Sequence, residues 1–147
     1  IESRQANPAI IQLANYLSTH PTSPQELTLE TTPQLLAFTP INNLLYFNQH
    51  NGHPASIFSE RYSYVQSLAA AKTPAELQQK IKQCPFGELK RFIFYSDQKY
   101  YYLYFHLDEF ISGIKETELK FDRQLFVSPY FKITYQDNGY YVIETQE

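Results

Sequence analysis

His50 and His53 stand three residues apart in the stretch NQHNGHPASIFSERYSYV, residues 48–65, where a glycine-containing loop runs into a helical pattern. Two imidazoles at that spacing can share a metal when they sit on one helical turn. Here Asn51-Gly52 separates them and Pro54 follows, so a zinc site would also need an acid such as Glu60. The alternative is that Pro54 holds His53 extended and His53 helps to cap the helix. Arg61 is the sharper signal. At 100° per residue it falls in the middle of the stripe formed by Ile57, Tyr64, Val65 and Leu68. A guanidinium on an apolar face is costly unless paired. Arg61 therefore either reaches a carboxylate or backbone carbonyls within the fold, or emerges beside His53 to line a small polar pocket for a sugar hydroxyl or an anionic group.

A second constellation lies at residues 100–107, YYYLYFHL, where Tyr100, Tyr102, Tyr104 and His106 alternate with Tyr101, Leu103, Phe105 and Leu107. On a strand the first set shares one face and the second the other. Sugars lay their C–H faces on such rings and bond to the hydroxyl tips. Tyr46, Tyr102 and Tyr104 are thus candidate stacking surfaces for a glycan, with His53 and Arg61 as donors. The competing role for the ladder is packing beneath a helix with only the hydroxyls wet. Cys84 falls on the apolar stripe of its own helical pattern and reads as a buried structural thiol. Glu60, Asp97, Asp108, Glu109, Glu116 and Glu118 show no acid and base spacing, and four glycines form no phosphate loop.

These residues must be positioned by one domain of 147 residues, 43% of them hydrophobic. Twelve basic residues against fifteen acidic give a net charge of −3 with no basic block, which argues against a nucleic-acid partner. One cysteine permits neither an internal disulfide nor a cysteine zinc cluster. No run approaches the roughly 18 apolar residues that span a bilayer. The chain starts at Ile1 and contains no methionine, which leads to the expectation that it is part of a longer polypeptide.

Residues 8–17 carry apolar residues at helical spacing, ELTLE alternates like a short strand, and Thr32-Pro33 should open a short helical run, QLLAF. LLYF, residues 44–47, reads as a buried strand. A helix should run from Pro54 to near Ala71, and Thr73-Pro74-Ala75-Glu76 is a capping box for another. RFIFYS and YYYLYFHL flank Asp97-Gln98-Lys99 as a hairpin of central strands, since both their faces are apolar. DEFISGI should turn or form a short helix. ELKFD, YFKITYQ and YYVIETQ follow as strands, the last two joined through Asp137-Asn138-Gly139. The fold class expected is α/β: a mixed β-sheet covered by helices, with antiparallel hairpins in the C-terminal half.

The order of these pieces resembles a known family. HPASIFSERYSYVQSLAAAKTPAELQQKIKQCPFGELKRFIF, then YYYLYFHLDEF and ELKFDRQLF, is similar to the C-terminal extracytoplasmic domain of the bacterial galactan arabinofuranosyltransferases. The matching positions are His53, Pro54, Phe58, Arg61, Pro85, Phe86, Asp108 and Phe110, within residues 45–130. The family's enzymes are multi-pass membrane proteins with a polyprenyl-phosphate-linked sugar donor and essential acidic residues in a loop of the membrane part. The resemblance implies a non-catalytic domain on the extracytoplasmic side of the cell membrane, with no cofactor of its own. Its partners would be the transmembrane part of the same polypeptide and, for binding or orienting, a cell-envelope glycan acceptor. The alternatives are a free-standing metal-dependent hydrolase built on His50 and His53, and a protein-interaction module.

Overall fold

Ile10, Leu13, Ala14 and Leu17 recur at helical spacing, and all four are buried along α1, Pro8–Thr19. In the computed structural model, which describes residues 8–30, 44, 55–97, 99–109 and 113–146, α1 leads into a short strand β1, Glu26–Leu29. Two helices follow, α2, Ala55–Ala69, and α3, Pro74–Lys82. The capping box forms as its sequence requires: Thr73 accepts a hydrogen bond from the Glu76 amide at 3.1 Å, and the Glu76 carboxylate accepts from the Lys72 amide at 2.7 Å. The strands β2, Glu88–Ser96, β3, Tyr100–Glu109, and β4, Gly113–Asp122, come next. A 3-10 turn, Arg123–Phe126, then leads to β5, Phe131–Asp137, and β6, Tyr140–Thr145.

The strand order is β4-β3-β2-β6-β5, and β1 pairs with β2 in parallel. β1 and β2 are joined through α2 and α3, the crossover that a parallel pair requires. The remaining pairs are antiparallel, so the sheet is mixed, as its sequence indicates.

β2 is the shared element. β6 covers one of its edges from Arg91 to Tyr95, while β1 takes the opposite edge from Glu88 to Phe92. Only Tyr95 and Ser96 remain for β3, which pairs with β2 through Tyr102 and Tyr101 and otherwise runs with β4. Both strands are central as expected, β3 lying between β4 and β2, but its ladder with β2 is short, since β1 already occupies the backbone groups that a longer one would use.

The pairing of β1 with β2 skips Lys90, a bulge that lets Leu89 and Phe92 face the same core although they are three apart. A second irregularity skips Thr134 on β5, so that Phe131 and Tyr135 serve opposite faces. One core lies between the sheet and α2 and α3, with Val65, Leu68, Leu77, Ile81, Phe92, Phe94, Phe121 and Ile143. The other is smaller and packs α1 against Ile93 and Val142. Phe94 and Phe126 are 5.5 Å apart edge to face, and the Phe94 ring stacks on Tyr101 at 5.1 Å. Arg91 is buried on the α1 side, with Nη2 donating to Glu144 Oε2 at 2.8 Å and to the His20 carbonyl at 2.6 Å. That pair ties the end of α1 to β2 and β6 in one register.

Some expectations need adjustment or lie outside the description. DEFISGI holds no helix at its ends: Asp108 and Glu109 pair with Ile114 and Gly113, which extends both strands into it. Thr32-Pro33 with QLLAF, and residues 45–47 of LLYF, lie outside the described residues. Leu44 is described, and its amide donates to the Thr28 carbonyl at 2.9 Å.

The β5–β6 turn has positive φ at both Asn138 (53°) and Gly139 (84°), as a tight two-residue hairpin loop demands. A Cβ on Gly139 would lie 2.9 Å from the Tyr95 ring. Gly139→Ala should destabilise the domain by about 1–2 kcal/mol, read as a lowered urea midpoint at constant m-value.

Candidate functional site

Arg61 is half-buried on α2, and its guanidinium turns inward. Nη1 donates to the Leu44 carbonyl at 2.9 Å, and the group lies 4.9 Å over the Phe86 ring. Leu44 is itself bonded to Thr28 of β1, so Arg61 connects α2 to that strand through two backbone hydrogen bonds. Its Nε is buried and has no hydrogen-bond partner among the described residues. Of the roles open to Arg61 in the sequence, reaching a backbone carbonyl within the fold is the one these contacts display. His50, His53 and Tyr46 lie outside the described residues, so a pocket or a metal pair built from them has no geometry to report. Among the described residues no group of three histidine, cysteine, aspartate or glutamate side chains could hold a metal ion.

The tyrosines give a clearer arrangement. Tyr101 and Leu103 point into the large core, 2% and 1% exposed, so Tyr100 and Tyr102 face the other side of the sheet. On that side Tyr102 is directly opposite Tyr95 of β2, and Tyr95 is directly opposite Tyr140 of β6. Cross-strand partners share a face, so these three tyrosines form one row across three strands, with Lys120 of β4 opposite Tyr102 at one end and Asp137 of β5 opposite Tyr140 at the other. Tyr95 in the middle is 47% exposed, with its ring 5.4 Å from that of Tyr140 in an edge-to-face arrangement. Tyr100 packs edge-on to Tyr102 at 6.2 Å, and the Lys120 ammonium lies 5.4 Å over the Tyr100 ring. Neighbouring strands are about 4.8 Å apart, so three rings in register give an aromatic strip about 10 Å long.

Asp97 fixes the turn beside this strip. Its Oδ1 accepts from the amides of Lys99 at 2.7 Å and Tyr100 at 2.9 Å, and its Oδ2 accepts from the Tyr102 hydroxyl. Three donors hold the carboxyl below its ordinary value of 3.8, at about 2, the Tyr102 hydroxyl contributing most. Burial, followed by the neighbouring Tyr95, pushes the Tyr140 phenol up. The strip is therefore a row of phenol rings bordered by the engaged Asp97 carboxylate, the exposed Asp137 carboxylate and an ammonium lying over a ring. Such a surface can stack on and bond to a neutral polar ligand.

Of the residues singled out for glycan contact, Tyr102 belongs to the strip. Tyr104 lies further along β3, opposite Glu118. Tyr95 and Tyr140 were not apparent as site residues, because RFIFYS reads as buried on both faces. The structure corrects this at Tyr95, which lies beyond the reach of β1 at the wet end of β2. Cys84 is partly buried against the large core.

Residues 3–146 match the family described as Arabinofuranosyltransferase A C terminal. The chain belongs to this family. No curated protein matched the chain. The family match extends beyond the segment 45–130 that carries the resemblance in sequence, reaching α1 at one end and β6 at the other. As a C-terminal portion of an arabinofuranosyltransferase, the chain contributes the sheet, the two helix layers and the tyrosine strip. No helix among the described residues is long and apolar enough to cross a membrane.

Two outcomes follow for this family domain. Arg61→Ala should cost about 1–3 kcal/mol of stability in chemical denaturation, because the Leu44 carbonyl loses its charged donor. The depressed Asp97 carboxyl stabilises the turn fully above pH 3.8, and that contribution is lost as pH falls through about 2. In an NMR titration of the side-chain carboxyl, Tyr102→Phe should raise this midpoint towards 3.8.

Proposed function

We propose that this chain is the non-catalytic domain of a multi-pass membrane glycosyltransferase of cell-envelope polysaccharide synthesis, and that it binds the acceptor glycan on the tyrosine strip. It hangs on the extracytoplasmic side from the transmembrane part of the same polypeptide. Transfer from the polyprenyl-phosphate-linked donor takes place in that membrane part, and the domain itself uses no cofactor.

The observation that carries the reading is the register of Tyr140, Tyr95 and Tyr102, with Tyr95 47% exposed at the centre of the row. A furanose or pyranose chain presents alternating C–H faces and hydroxyl edges. Rings that are half buried are held at low entropic cost and still expose a face, which favours stacking. The Lys120 ammonium and the Tyr hydroxyls can bond to sugar oxygens at the rim. A strip about 10 Å long suits a short stretch of glycan, and weak, renewable contact of that kind would keep a growing polymer near the membrane without trapping it.

The test is a titration of the 147-residue domain with a galactan oligosaccharide and an arabinofuranose oligosaccharide, followed by NMR. Shifts should map to Tyr95, Tyr102 and Tyr140. Tyr95→Ala should weaken binding roughly tenfold, a loss of about 1.4 kcal/mol, with the thermal midpoint nearly unchanged since the ring is half exposed. Absence of saturable shifts with both glycans, or shifts that survive Tyr95→Ala, would overturn the assignment.

A further inference from the structure

Next to the tyrosine strip, with Tyr100 shared at its border, a groove of about 650 Å³ opens between the β2–β3 turn and the 3-10 turn. Lys99, Tyr101, Asp122, Arg123 and Gln124 supply its polar wall, and Val127 and Ile133 form an apolar lip, 67% and 44% exposed.

Arg123 is the centre of the wall. Its guanidinium lies 5.1 Å over the Tyr101 ring and 5.0 Å over the Tyr141 ring, wedged between two aromatic groups. Nη1 donates to the Asp97 carbonyl at 2.9 Å, and Nη2 points to the Tyr141 hydroxyl at 3.4 Å. Those bonds leave part of its five-donor fork unused. No carboxylate pairs with it among the described residues. Asp122, the nearest in sequence, turns its Oδ1 to the Gln124 amide at 2.9 Å.

The Tyr141 hydroxyl, outside the groove lining, helps to position Arg123. Its oxygen accepts from Gln136 Nε2 at 3.0 Å as well as from Arg123. Lys99, exposed on the turn, brings a second cation to the same groove. The wall thus sets two cations, Lys99 and Arg123, against one carboxylate, Asp122, whose Oδ1 accepts from the Gln124 amide.

We propose that this groove binds an oxyanion group, the chemistry shared by a phosphate ester and an acidic sugar. Arg123 and Lys99 supply the charge, and the Tyr101 and Tyr141 rings with the Tyr141 hydroxyl hold the Arg123 guanidinium in place to meet the anion. The apolar lip receives whatever carbon skeleton bears the group. The site is independent of glycan contact at Tyr95, and its failure would leave that reading untouched.

The test uses the 147-residue chain with two probes, inorganic phosphate and glucuronate, each against sodium chloride at matched ionic strength. Saturable shifts of the Gln124 amide and the Arg123 side chain are expected with at least one of them. A response to phosphate alone assigns the group as a phosphate, and a response to glucuronate alone assigns it as a sugar acid. Tyr141→Phe keeps the ring and the stack on Arg123, and Lys99→Gln changes only an exposed residue. Each should weaken binding roughly threefold or more while the fold persists. Shifts that match the chloride control, or affinity unchanged in either variant, would overturn the proposal.

Discussion

The division of one edge of β2 between two partners governs the rest of the molecule. A strand edge carries a fixed number of amide and carbonyl groups, and β1 takes those of the first half. β3 is left with two residues of pairing, so the β3–β4 ribbon is held to the sheet mainly by side chains beneath it. Phe94, Tyr101, Phe121 and Phe126 provide that attachment, with ring centroids 5.1 to 6.1 Å apart and tilted or edge-on contacts prevailing. The high aromatic content, 16% of the chain, is in this sense structural first. Rings can span the space where the backbone ladder ends.

The same division explains why both candidate surfaces gather at one end. Past Phe92 the strand β2 is no longer flanked by β1, and Tyr95 stands clear at the far end. The turn that follows is held by Asp97, which serves both surfaces: its carboxylate takes the Tyr102 hydroxyl of the strip, and its carbonyl takes Arg123 of the groove. A single residue therefore fixes the ring at the end of the strip and the cation in the groove. Arg61 and Arg91 do comparable work deeper in the fold, each tying a helical segment to the sheet through a backbone carbonyl.

Much of the fold was legible in the sequence because its signals are local. The capping box at Thr73, the Asn138-Gly139 turn and the alternation of β3 need only neighbouring residues to be read, and each forms. Register was harder. The last β2–β3 pair is Ser96 with Tyr101, so four residues form the loop where Asp97-Gln98-Lys99 suggested three. That one residue decides that Tyr102, and not Tyr101, stands beside Tyr95. The loop length is set by the Asp97 carboxylate gathering two amides, a choice that composition alone does not reveal. The bulges at Lys90 and Thr134 are equally silent in a pattern of alternation, and Arg123 gains meaning only once Tyr101 and Tyr141 close around it.

Among the described residues the strand order ends at β4 and β5, and an open sheet with two free borders invites a neighbouring chain to add itself. Neither border is suited to that. β4 carries Glu118, Lys120 and Asp122, so an approaching strand would have to match or desolvate charges of both signs. β5 bears Lys132 and is kinked by the irregularity at Thr134, which breaks the straight run of amides needed for continuous pairing. A domain so rich in exposed and half-exposed rings would otherwise be prone to stack into fibres. Charge on the β4 border and the kink in β5 both oppose that edge-to-edge addition.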